Sequence, residues 1–177
     1  MRGNFPLQTK LKSVLNYEYM GVHIHKSHNV TLLMYHIVST VKYRKSLLSK
    51  EISEFLKQTC LEISQRFEIN FLEVGTDQNH VHFLVQSKPT LAVSKIVQII
   101  KGNLSKQIFL NFPEVKKQLW GGEFWTDGFY ANTVSQYGGE KTISRYIKNQ
   151  GNVDKNHKSN YKAIYQDKTH DLFESVE

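Results

Sequence analysis

A chain of 177 residues is long enough for one sizeable hydrophobic core and short for two, and its 40% hydrophobic and 22% charged residues exclude a disordered or fibrous protein. A formal charge of +7 favours a polyanionic partner. The single cysteine, Cys60, excludes an internal disulfide and a thiolate metal centre; with no bilayer-length apolar stretch and no apolar signal core in MRGNFPLQTK, a soluble cytoplasmic protein without a membrane partner is expected.

Residues 1–28 mix charged, aromatic and histidine residues without clear periodicity and read as an N-terminal extension. From Asn29 the run VTLLMYHIVST is apolar and β-branched and predicts a strand ending at the basic VKYRK. Ser49 to Phe67 predicts a helix: Ser49 caps the first turn, and Ile52, Phe55, Leu56, Ile63 and Phe67 recur at helical spacing between charged residues. INFLEVG at 69–75 and HVHFLVQ at 80–86 predict two strands of an antiparallel hairpin, joined by Thr76, Asp77, Gln78 and Asn79. Pro89 ends the third strand, and a second amphipathic helix runs from Thr90 to about Leu110 through Val93, Ile96, Val97, Ile100 and Leu104, weakened at Gly102.

After Pro113, LWGGEFWTDG reads as a glycine-punctuated aromatic loop and FYANTV at 129–134 as a fourth strand. Gly138 and Gly139 then break the chain before EKTISRYIKNQ, a helix that Gly151 terminates. The order β-α-β-β-α-β plus a last helix predicts an α+β fold of the ferredoxin-like, RRM-like split βαβ kind. Such a fold has an antiparallel sheet with two helices on one face and the other face free.

Strand alternation places His80, His82, Leu84 and Gln86 on one face of the third strand and Val81, Phe83 and Val85 on the other. The apolar set suits the helix-covered face, which leaves two imidazoles on the uncovered one, close enough to converge on an ion. The pair alone is more simply read as solvent-facing or hydrogen-bonded structural histidines, and two histidines do not complete a metal site. On the last helix, Tyr146 and Gln150 are four apart and share a face beside the apolar stripe of Ile143 and Ile147. Gln150 can offer an amide oxygen to a hard metal; Tyr146 is either a phenol at the site or a packed aromatic. Lys141, Arg145 and Lys148 add positive charge nearby. Asp77 is a candidate base beside the histidines or simply a turn former.

Four stretches together resemble a known family. YHIVSTVKYRKSLL, NHVHFLV, LWGGEFWTDGFYANTV and ISRYIKNQG, in this order over roughly residues 27–151, resemble the small HUH single-tyrosine transposases. These are TnpA-like proteins of bacterial insertion sequences that move as single-stranded DNA. On that resemblance, residues 29–151 form the transposase domain between the extension 1–28 and a polar tail 152–177.

The resemblance implies that His80 and His82 are metal ligands, Gln150 the third protein ligand and Tyr146 the nucleophile. It further implies Mg²⁺ or Mn²⁺ with no nucleotide cofactor, and hairpin-bearing single-stranded element ends as substrate. A homodimer is also implied, in which one subunit's tyrosine completes its partner's metal site; the sequence does not distinguish this from placement within one chain. Lys42, Arg44, Lys45, Lys95, Lys101, Lys106, Arg145 and Lys148 are the candidate DNA contacts. Trp120, Phe124 and Trp125 stack bases or pack internally. The rival readings are a replication initiator or relaxase with the same constellation, a non-enzymatic RNA-binding module using the same sheet face, and a relative of these transposases that has lost cleavage.

Overall fold

A computed structural model of the chain describes residues 23–134 and 140–148, without the side chains of residues 140–142 and 146. The elements are β1 (Ile24–Lys26), β2 (Asn29–Thr31), β3 (Leu33–Thr40), α1 (Lys50–Phe67), β4 (Ile69–Thr76), β5 (His80–Ser87), α2 (Val93–Asn111), α3 (Pro113–Lys117), β6 (Tyr130–Val134) and α4 (Glu140–Lys148). This is an α+β fold. β4, β5, β3 and β6 form one sheet in that order, every neighbouring pair antiparallel, and β1 and β2 form a separate hairpin.

The strand expected from Asn29 is divided at Leu32, and its first part turns back onto Ile24–Lys26, within the stretch read as an extension. Few apolar residues mark this hairpin; what ties it down is an ion pair from Lys26 Nζ to Glu68 at 3.2 Å, and Glu68 also pairs with Lys88.

α1 begins where expected, with Ser49 Oγ accepting from Ile52 N at 3.2 Å, and ends at Glu68 in the left-handed region (φ 53°). It buries Ile52, Leu56, Cys60 and Ile63 along one stripe. α2 starts at Val93 rather than Thr90, because Leu91 N bonds back to Lys88 O at 3.2 Å and holds residues 88–91 in a turn. It buries Ile96, Val97, Ile100, Leu104 and Ile108. Both stripes pack on Ile37, Val81, Phe83 and Val85, so the odd-numbered residues of β3 and β5 face the main core.

The opposite face is not free. Met34, Leu84 and Val134 form a second apolar cluster there with Ile143 and Ile147 of α4. Leu84 is apolar on the histidine side of β5 and needs cover, which α4 supplies over part of the sheet. A bulge in β4 prepares this face: Phe71 pairs with Val85 and Glu73 with Leu84, so Leu72 is the extra residue. Past the bulge, Glu73 and Gly75 lie opposite Leu84 and His82 and share their face.

The aromatic loop is more ordered than a glycine-rich reading suggests. Pro113 opens the short α3, and a 3-10 turn at Trp120–Gly122 has Gly121 and Gly122 at φ 79° and 70°. Phe124 and Trp125 are buried in the main core, with ring centroids 4.7 Å apart, whereas Trp120 is 84% exposed.

Candidate active site

His80 and His82 lie on one face of β5, their ring centroids 5.0 Å apart. His80 is half-buried at the strand's start, and its Nδ1 is 2.8 Å from Asn79 Oδ1. His82 is buried, and its Nδ1 is 2.9 Å from Nε2 of His36, a residue of β3 that sequence reasoning did not single out. The register explains the contact: Val38 pairs with His82 and His36 with Leu84, so the two histidines are diagonal neighbours on one face. The site therefore contains three imidazoles. A fully solvent-facing pair is ruled out.

Burial keeps these rings neutral. It lowers His36 to a pKa of about 4 and His82 to about 3, the latter helped by the neighbouring histidines. His80 is lowered too, chiefly by burial and further by Arg44, against the opposing pull of Asp77. A neutral imidazole has the lone pair that a metal requires, so His80 and His82 fit the role of nitrogen ligands at neutral pH. Among the described residues no cluster of three or more His, Cys, Asp or Glu is arranged to hold a metal. A metal held by His80 and His82 would need a further donor from elsewhere. Gln150, expected as that donor, lies outside the described residues, as do Gly138, Gly139, Gly151 and the tail.

Tyr146 lies in α4, and the seating of that helix is specific. A Cβ at Gly75 would be 2.1 Å from the backbone oxygen of Ile147, so the helix rests directly on β4 where only glycine permits it. Gly75 is the register partner of His82, and Ile147 is the neighbour of Tyr146. The helix is fastened at Glu73, which accepts from Ser144 Oγ at 3.3 Å and pairs with Lys148 at 3.6 Å. The backbone of the tyrosine helix is thus held against the histidine strand's neighbour within one chain.

Asp77 shapes the turn before the histidines: its carboxylate accepts from Gln78 N at 2.7 Å and its own N–H bonds to His80 O at 2.9 Å. The Lys42–Lys45 segment folds against this turn through Val41 N to Asn79 O at 2.8 Å and Leu48 N to Gln78 O at 3.0 Å. Tyr43 and Arg44 both adopt positive φ, 60° and 51°, a strained pair, and the Arg44 charge helps to lower the pKa of His80.

The other basic candidates are spread over several surfaces. Lys42 pairs with Glu123 at 2.6 Å, and Lys45 donates to Gln118 O. Lys95, Lys106 and Arg145 are exposed. Lys101 is folded into the structure, donating to Thr126 O, Asp127 O and Gly128 O at 2.6, 3.1 and 3.1 Å. Lys101 and the aromatic loop border an open groove of about 510 Å³ that also includes Gly102, Ser105 and Phe129. Among the described residues no helix is long and apolar enough to cross a membrane.

The family model "Transposase IS200 like" matches residues 29–150. The ISDra2 transposase TnpA of Deinococcus radiodurans is 30% identical over 118 residues, 67% of this chain and 84% of that protein. The transposase for insertion sequence element IS200 of Salmonella typhimurium is 29% identical over 121 residues, covering 68% and 78%. Among solved structures, a candidate transposase from Deinococcus radiodurans superposes with a TM-score of 0.60 at 27% identity, covering 72% of this chain and 98% of that one. A REP-associated tyrosine transposase bound to a REP hairpin shares the fold, with a TM-score of 0.51 at 11% identity over 71% and 70% of the two chains.

Proposed function

Because the chain belongs to the IS200-like transposase family, matching it over residues 29–150, we propose that it cleaves and rejoins single-stranded DNA with Tyr146 as nucleophile. The observation that carries this reading is the seating of the Tyr146 helix at Gly75, directly across from His82 and its partner His80. Two neutral imidazoles and the backbone of the only helix on that face among the described residues then border one site. We read the sheet order β4-β5-β3-β6, with its two crossing helices, as the split βαβ arrangement.

In this reading the Tyr146 phenol gives up its proton to solvent and its oxygen attacks the scissile phosphorus; a new P–O bond forms to the tyrosine, the bond to the 3′ oxygen breaks, and that oxygen takes a proton from solvent to become a 3′-hydroxyl. A 3′-hydroxyl later attacks the same phosphorus and expels the tyrosine, so one phosphodiester is exchanged for another and no nucleotide cofactor is required. Free tyrosine has a pKa of about 10, so the phenol needs help at neutral pH. When bound by His80, His82 and Gln150, a Mg²⁺ or Mn²⁺ ion supplies positive charge that orients the scissile phosphate and offsets charge developing on its oxygens. Arg44, exposed and electrostatically coupled to His80, is the basic residue we assign to hold that phosphate.

The wider basic surface, with exposed Lys95, Lys106 and Arg145, serves the DNA backbone, and Trp120, more exposed than Tyr43 or Phe129, is the aromatic we assign to stack an unpaired base. The substrate is a hairpin-bearing single strand at the element's ends, and the working form is a homodimer in which α4 is able to complete the partner's site. An RNA-binding module of this topology displays aromatic rings on the sheet face; here that face carries three histidines and is partly covered by α4.

Single-stranded oligonucleotides copying the DNA on either side of the coding region test the proposal. In Mg²⁺ or Mn²⁺ the wild-type protein cuts such a strand at one position, leaving a free 3′-hydroxyl; the matching duplex stays intact, and H80A/H82A is inactive. Cutting by H80A/H82A at the wild-type rate overturns the assignment.

A further inference from the structure

Each of the two histidines read as metal ligands is gripped by a second residue at the same ring nitrogen. Asn79 Oδ1 lies 2.8 Å from His80 Nδ1, and His36 Nε2 lies 2.9 Å from His82 Nδ1. An amide oxygen only accepts, so His80 Nδ1 carries the proton and donates it; the His80 lone pair is therefore on Nε2. His36 and His82 are 2% and 5% exposed, so the two nitrogens that face each other at 2.9 Å are shielded from water and pair with one another. Their rings lie within 14° of a common plane with centroids 5.2 Å apart. With the nitrogens at 2.9 Å, this is the arrangement of two imidazoles meeting edge to edge through one N–H···N bond rather than face over face.

We propose that His36 is a positioning residue that accepts a hydrogen bond from His82 Nδ1–H, and that Asn79 does the same for His80, so that both histidines present Nε2 to a divalent cation. This deepens the proposed function and rests on its metal-binding reading. The bond between His36 and His82 has two possible directions. If His82 Nδ1 accepted, its proton would be on Nε2, and that nitrogen would have to lose it before meeting a cation. If His82 donates, Nε2 already holds its lone pair, in the same tautomer that Asn79 enforces on His80. A neutral His36 with Nε2 as acceptor carries its own proton on Nδ1.

The fold keeps this geometry from drifting. β3 and β5 are the two inner strands of the sheet, each laddered on both sides, so the diagonal between His36 and His82 is set by backbone bonds rather than by a loop. Tyr130 on β6 packs edge-on to His36 with centroids 6.0 Å apart and closes the other side of the ring. Partners of this kind fix the tautomer and ring orientation of metal-bound histidine, and their loss weakens metal affinity by about 10–100-fold.

Titration of the full-length protein with Mn²⁺, reading the paramagnetic resonance of the unbound ion, separates the possibilities. His36→Phe keeps a ring but has no acceptor and is expected to bind Mn²⁺ about 10–100-fold more weakly. His36→Gln, whose amide oxygen accepts, restores most of the affinity. A folded His36→Phe protein that binds Mn²⁺ as wild type does overturns the inference while leaving the metal centre standing. A wild type that binds no Mn²⁺ overturns the metal centre and the inference with it. Nitrogen-15 NMR of the wild-type imidazoles needs no variant: Nδ1–H on both His80 and His82 is the expected result, and a proton on Nε2 of His82 contradicts it.

Discussion

His82 is an ionisable residue buried to 5% exposure, and that burial has a consequence for stability. His36 and His82 are pushed down to about 4 and about 3, while in an unfolded chain both return to the ordinary value near 6.5. As pH falls below about 6.5 the unfolded state takes up protons that the folded state refuses, so stability is highest above that value and falls with acid. The decline continues to about pH 4 for His36 and about pH 3 for His82, where the folded protein protonates as well. In metal-free protein, urea unfolding across pH 7 to 4 is expected to show a loss of up to about 1 kcal/mol per pH unit from each ring, with a shallower slope in His36→Phe. Equal slopes in the two proteins would contradict this account. The HxH spacing of His80 and His82 was legible in the sequence through strand alternation alone. The role of His36 was not, because it lies 46 positions from His82 and meets it only through the β3/β5 register.

Among the elements, α4 is the one on which the proposed function depends most. Its apolar stripe, Ile143 and Ile147, was readable from helical spacing, and both residues are buried as that stripe requires. What it covers was less readable: the free sheet face expected of the pattern is partly roofed by α4, and Leu84, an apolar residue among the histidines, was the available signal. The β4 bulge was invisible, since INFLEVG gives no glycine or proline at Leu72 to mark the extra residue, yet the bulge is what turns Glu73 toward Ser144 and Lys148. Gly75→Ala tests the seating. Its methyl would stand 2.1 Å from Ile147 O, so α4 must lift from β4. The expected outcome is faster hydrogen exchange in α4 with α1 and α2 unchanged, a stability loss of about 1–3 kcal/mol, and strand cleavage reduced by about 10–100-fold. Wild-type exchange in α4 of that variant would mean the helix does not rest on Gly75.

For the molecule as a whole, the charge of +7 suits the polyanionic partner expected from the sequence, but charge alone does not say which lysines are available. Lys101 is a candidate DNA contact in the sequence; in the fold three carbonyls occupy it, and it closes the loop that carries Phe124 and Trp125. Arg44, by contrast, is exposed, and its charge acts on His80. The salt dependence of single-strand binding separates the two: Arg44→Gln is expected to lower the slope of log K against log salt by roughly 0.7, one phosphate contact, whereas Lys101→Met leaves the slope unchanged. A slope that changes in Lys101→Met and not in Arg44→Gln would reverse that assignment. The central claim is the covalent role of Tyr146, and trapping it is the most direct measurement. Wild-type protein incubated with a single-stranded element end in Mn²⁺ is expected to yield a denaturant-resistant protein–DNA adduct, with peptide mass spectrometry placing the modification on Tyr146. That adduct is expected to disappear on chelation and in Tyr146→Phe; an adduct that survives in Tyr146→Phe would contradict the account.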